Sequence, residues 1–154
     1  MKRGAAVLAV LVIAAGAVPP AARAQQYSSA GVGMVRPLGD FGDTRDAGWT
    51  VRGEVGASLV GIIEAHAQVG WSGFPRVPGP EEDADDHIVH AGIGTRLGLG
   101  LTFLGLNLLW FTDDGAGAVW VPEAGARLGP LELVADLRPT GNQTWIALRA
   151  GVRF

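Results

Sequence analysis

The chain has no cysteine, which removes a disulfide scaffold, a thiolate metal site and a lipoprotein anchor together. Its only lysine is Lys2, so everything beyond the first residues carries positive charge on arginine alone. A secreted soluble domain normally scatters lysine and glutamate over its exposed face. Past residue 24 there is also no helical period, no heptad and no long apolar run. Those absences exclude a helical bundle, a coiled coil and a helical membrane span within that region. Basic character is missing as well. Setting Lys2, Arg3 and Arg23 aside leaves 9 of the 12 basic residues against 15 acidic ones, a net of −6, which argues against nucleic acid as a partner.

What is present begins with a targeting pattern. Residues 1–24 combine a basic start (Lys2, Arg3), an apolar stretch from Ala5 to Val18 and the small-residue site Ala22-Arg23-Ala24. The stretch is short for a membrane span and the cleavage site is well placed, so a secretory signal peptide is expected over 1–24 and a single mature domain over 25–154.

The mature region alternates with a period of two, the pattern of strands with unlike faces. Eight segments carry it, at about 26–36, 49–59, 62–72, 87–98, 101–112, 118–128, 131–138 and 144–154. Their lengths suit tilted strands crossing a bilayer. Short connections at Val60-Gly61, Gly98 to Gly100 and Gly129-Pro130 alternate with longer ones at 37–48, 73–86, 113–117 and 139–143. Short turns at one end and longer loops at the other are the layout of an up-and-down barrel. The expected fold is therefore all-β, a transmembrane eight-stranded antiparallel β-barrel.

One face of each segment is almost uncharged, as in Ile63, Ala65, Ala67, Val69 and Trp71; the other is polar, as in Glu64, His66, Gln68 and Gly70. The polar faces hold Arg52, Arg96, Arg127, Arg138, Arg149 and Arg153 against Glu54, Glu64, Glu123, Glu132 and Asp136. So nearly balanced a set can pair within a narrow lumen, with glycines making room for the arginines. The pairing expected for Arg127, Arg138, Arg149 and Arg153 is with Glu123, Glu132 and Asp136. Trp49, Trp71, Trp110, Trp120 and Trp145 lie at strand ends beside the longer loops and are expected to form an aromatic belt at one interface, although parity places Trp145 with Arg149, where it would cap the lumen. At the opposite interface only Tyr27, Phe103 and Phe154 offer a belt.

The chain ends on Phe154, with Val152, Ala150, Leu148 and Ile146 at every second position before it. This ending resembles the C-terminal signature of bacterial outer-membrane β-barrel proteins, and the whole mature region is similar to the small OmpA/OmpX-type barrels. Val152 departs from the aromatic often found two positions before the last residue. The resemblance implies recognition by the barrel-assembly machinery, pairing of the last strand with the first, a bacterial outer-membrane location among outer-membrane lipids and lipopolysaccharide, periplasmic termini and loops facing the cell exterior. It also implies a monomer.

Little chemistry is legible. "GIGTRLG" (Gly92 to Gly98) lacks the spacing of a dinucleotide fingerprint, and "GASLVG" around Ser58 misses a nucleophile elbow by one residue. The best metal candidate is "EEDADDHIVH", where His87, His90, Asp83, Asp85 and Asp86 could hold a loosely bound divalent cation. No other cofactor is expected. Eight-stranded barrels also serve as lipid A-modifying enzymes, and Ser72, Asp86, His87 and His90 lie at a suitable level, but no H-x-S sequence accompanies them. The expectation is a non-enzymatic protein with a filled lumen and no large pore, whose role is structural support or surface interaction with an extracellular partner through acidic loops at 37–48, 73–86 and 113–117. A lipid A-modifying enzyme, a narrow channel and a soluble periplasmic barrel are the alternatives.

Overall fold

A computed structural model describes residues 25–77, 86–112, 117–140 and 143–154. The expected signal peptide and Asp83 and Asp85 lie outside the described residues. Eight strands form one closed antiparallel barrel, each paired with its sequence neighbours: β1 (Gln26–Leu38), β2 (Gly48–Val60), β3 (Ile63–Phe74), β4 (Asp86–Leu99), β5 (Thr102–Phe111), β6 (Val119–Leu128), β7 (Leu131–Thr140) and β8 (Gln143–Arg153). Closure is made by β1 and β8, in register from Ser29 opposite Arg153 to Leu38 opposite Thr144. Phe154 extends that ladder, its N–H donating to Ser28 O at 2.8 Å and its carbonyl accepting from Ser28 N at 3.2 Å. A closed ladder leaves no strand edge unpaired, which is the condition for crossing a bilayer with strands.

Three two-residue connections, Gly61-Ile62, Gly100-Leu101 and Gly129-Pro130, gather at one end with both barrel termini; the connection between β7 and β8 at the other end, expected to be longer, also spans only two residues, 141–142. Each of the first three needs a glycine because its backbone turns through positive φ: 49° at Gly61, 74° at Gly100 and 63° at Gly129. This is the turn end. At the opposite, loop end, the chain between β1 and β2 forms a five-residue helix, α1 (Asp40–Thr44), that periodicity did not suggest.

Strand pleating sends alternate residues to opposite faces. Outside, an almost continuous apolar surface includes Val32, Ile93, Leu106, Leu133 and Leu148, all exposed. Inside, Arg52, Arg96, Arg138, Arg149, Glu54, Glu123, Glu132 and Asp136 are buried. The distribution is inverted relative to a water-soluble barrel. The lumen is narrow enough that long side chains sit across from glycine: Gly31 and Gly70 flank Arg52 in register, and Gly105 faces both Arg96 and Glu123. A Cβ on Gly105 would come within 2.8 Å of the Glu123 side chain.

Candidate functional site

From the turn end upward, the lumen is filled in layers. Tyr27 and Phe103 form the first. Both are buried and turned inward, with the Arg153 guanidinium 3.6 Å from the Tyr27 ring centre and those of Arg96 and Arg127 at 4.7 and 4.5 Å from Phe103. This corrects the expectation that the two rings belong to an interfacial belt. A period of two fixes the face of a residue, and Tyr27 shares its face with Ser29 and Gly31. Of that trio only Phe154 is exposed.

Above this layer lies a lattice of guanidinium and carboxylate groups. Arg96 donates through Nη1 and Nη2 to the two Glu54 oxygens at 2.5 and 2.7 Å and through Nε to Glu123 Oε1 at 2.5 Å. Arg52 reaches Glu123 at 3.0 Å, Glu54 at 3.4 Å and Glu132 at 3.7 Å. Arg127 bridges Glu64 at 2.7 Å and Glu132 at 2.9 Å, while Arg153 also takes Glu64, at 2.9 Å. Arg138 and Arg149 share Asp136, Arg138 through Nε at 2.8 Å and Arg149 through Nη2. Four partnerships differ from those expected. Arg153 and Arg127 both use Glu64, and Glu123 serves Arg52 and Arg96, because strand tilt brings together residues far apart in sequence.

Neutral groups complete the lattice: His66 falls on the polar face where the sequence placed it, whereas Tyr27 was expected in a belt and His90 in a metal set. The Tyr27 hydroxyl donates to Glu54 at 2.9 Å, His66 Nε2 lies 2.7 Å from Asn107 Oδ1, and His90 Nδ1 lies 3.0 Å from Arg138 Nη1. Their signal was parity alone, since each falls on a polar face.

The loop end is closed differently. Phe74, Phe111 and Trp145 are buried with Ile88, Leu109 and Val121 inside the barrel mouth, and α1 lowers Phe41 onto them. Ring centres lie 5.1 Å apart for Phe41 and Phe74, 5.3 Å for Phe74 and Trp145, and 5.6 Å for Phe111 and Trp145, all edge-to-face. Trp145 has no exposed surface and does not belong to the belt, whereas Trp49, Trp71, Trp110 and Trp120 project outward there. The 37–48 connection is thus part of the scaffold. Asp46 N donates to Pro75 O at 2.8 Å and Val77 N to Thr44 O at 3.3 Å, tying it to the segment after β3. Its carboxylates Asp40, Asp43 and Asp46 remain exposed at the rim.

Two members of the proposed metal set, His87 and His90, cannot serve one ion together. His87 and His90 are three residues apart on β4, so they face opposite sides of the wall: His87 is exposed, 5.5 Å from the Trp71 ring centre, and His90 is buried in the lumen. Asp86 opens β4, and no group of three or more metal-ligating side chains occurs among the described residues. Ser72 is buried in the lumen and donates to Thr50 Oγ1 at 3.0 Å.

No family model matches the chain, and no curated protein is similar to it in sequence. Among solved structures, Ail, the attachment invasion locus protein of Yersinia pestis, is similar over 84% of this chain and 97% of its own, at 15% identity and a TM-score of 0.49.

Proposed function

We propose that the protein is a non-enzymatic barrel of the bacterial outer membrane that conducts no large solute and presents an acidic rim to the cell exterior. The observation that supports this reading is the inverted surface: large apolar side chains around the outside, charged ones buried within. In water that outer face would be an extensive aggregation surface, and in lipid it is solvated. Buried side chains fill the lumen from Tyr27 to Phe41, and this supports an anchor over a pore. On this reading the turn end and both termini are periplasmic. The barrel-assembly machinery engages the outward row Ile146, Leu148, Ala150, Val152 and Phe154, and outer-membrane lipids and lipopolysaccharide surround a monomer.

Function then lies at the rim. Asp40, Asp43 and Asp46 are exposed there, and the sequence adds Glu81, Glu82, Asp83 and Asp85. Such a rim repels an anionic lipopolysaccharide surface unless divalent cations bridge the two, and it attracts a cationic partner. The test is replacement of residues 78–85 by a short Gly/Asn turn. Heat-modifiable mobility and outer-membrane fractionation should be unchanged, while binding of polycationic peptide, or of calcium, should be lost. A soluble wild-type protein would overturn the membrane reading. Fatty-acid release from lipopolysaccharide would overturn the non-enzymatic one, and a large stable conductance in planar bilayers would contradict the filled lumen.

A further inference from the structure

The lumen lattice does not balance. Its described ionic groups are six arginines, Arg52, Arg96, Arg127, Arg138, Arg149 and Arg153, against five carboxylates, Glu54, Glu64, Glu123, Glu132 and Asp136. With both lumen histidines neutral, one positive charge is left over. The same excess shows in the hydrogen bonds. Arg149 Nε and Nη1, Gln68 Nε2 and Trp145 Nε1 are buried donors with no acceptor among the described residues. Buried donors in that state call for a water or an ion.

The place for one is beside Arg149. Its side chain is almost entirely buried and spends only Nη2, on an Asp136 that Arg138 already engages. A lumen cavity with room for one occupant of about water size lies between Gly31, Gly151 and Val134, with Arg52, Glu132 and Arg149 completing its wall. The charged wall sums to two guanidinium groups against one carboxylate. That carboxylate, Glu132, is already held by Arg127 at 2.9 Å and flanked by Arg52 and Arg96 at 3.7 Å. The glycines have a part here: Gly31 and Gly151 lie opposite each other across the β1–β8 seam, and a side chain on either would narrow the space.

We propose that this cavity binds a single small monovalent anion of halide size, held at one or other of the unengaged N–H groups of Arg149. A water could accept the same hydrogen bonds but would leave the extra charge uncompensated in a low-dielectric interior. A sulfate or phosphate ion is too large for the space. The anion completes the barrel as a structural ion, joining the closing seam to the lattice.

The experiment uses the full mature chain refolded in detergent. Bromide is soaked into crystals, and thermal unfolding is followed by heat-modifiable mobility in chloride and in gluconate at equal ionic strength. An anomalous bromide peak within hydrogen-bond distance of Arg149, with a melting midpoint a few degrees higher in chloride and rising to saturation with its concentration, is expected. Arg149→Gln should abolish the difference between the two salts. Should that variant fail to fold, the bromide map of the wild type decides alone. Absence of the peak, or a chloride response that survives Arg149→Gln, would overturn the assignment.

Discussion

The two halves of the lumen solve one packing problem with opposite chemistry. Toward the turn end the space is filled by a lattice of arginines and carboxylates; toward the loop end it is filled by Phe41, Phe74, Phe111 and Trp145. Neither half has a soluble core to draw on, since the apolar faces of the strands point outward. The difference teaches where each filling is tolerable. A lattice needs charges projecting from all around the wall, so it suits the enclosed middle, where eight strands surround the space. Aromatic packing closes a mouth, because a ring can be carried in from a loop, as α1 carries Phe41. The lattice is unforgiving of single losses, whereas the plug degrades in proportion to the volume removed.

The sharpest way to break that contrast is Asp136→Ala. Two guanidinium groups, Arg138 and Arg149, depend on this carboxylate, and its removal leaves both buried without an acidic partner. A loss of about 3–5 kcal/mol is expected in urea titrations of the refolded barrel. Combining it with Arg149→Leu should recover part of that loss, because the second change removes one of the orphaned charges. Simple addition of the two costs would show that the lattice is not a paired network. Trp145→Ala should follow, at about 3 kcal/mol, the lower end of the range for large aromatics, since Phe41 on its short helix can settle into part of the vacated space. A charge on the outer wall comes next. Leu148→Arg projects into the apolar band and should cost about 2–4 kcal/mol in lipid vesicles. The same variant in detergent, where the micelle deforms around it, should lose less. Equal losses in both media would count against the bilayer reading.

Most of the framework was legible because a period of two speaks for itself. Strand number, the eight segments to within about two residues and the grouping of Arg52 through Arg153 on one face follow from alternation; that this face points inward rested on its balanced charges, the tryptophans at the loop ends and the ending on Phe154. Partner choice did not follow. Arg153 meets Glu64, 89 residues earlier, only because the closed, tilted sheet brings β8 across from β3. Aromatic residues misled where composition was weighed above parity. Tyr27 and Phe103 were placed in a belt by type, although each alternates with outward-facing neighbours. That His87 and His90 cannot share an ion follows from the same rule, which was available in the sequence: residues three apart on a strand never share a face. Phe41 was the one feature with no periodic signal. A lone aromatic in an acidic connection is the only hint that this segment turns back into the barrel.

The smallest effect separates ring pairing from burial. Trp49 and Trp71 meet outside the barrel with ring centres 5.2 Å apart, edge-to-face, nearly the geometry of Phe74 with Trp145 inside it. Both outer rings remain partly exposed, while both inner ones are fully enclosed. A double-mutant cycle with Trp49→Ala and Trp71→Ala should therefore give a coupling of about 0.5–1.5 kcal/mol, the worth of an aromatic pair apart from area. A Phe74→Ala and Trp145→Ala cycle should show a similar coupling on top of much larger single losses. The two pairs share geometry, so the gap between their single-variant losses measures what enclosure in the lumen adds to contact alone. Similar single losses at the two sites would mean that the outer tryptophans are buried too, against a neighbour that covers the wall, and the monomeric reading would have to give way.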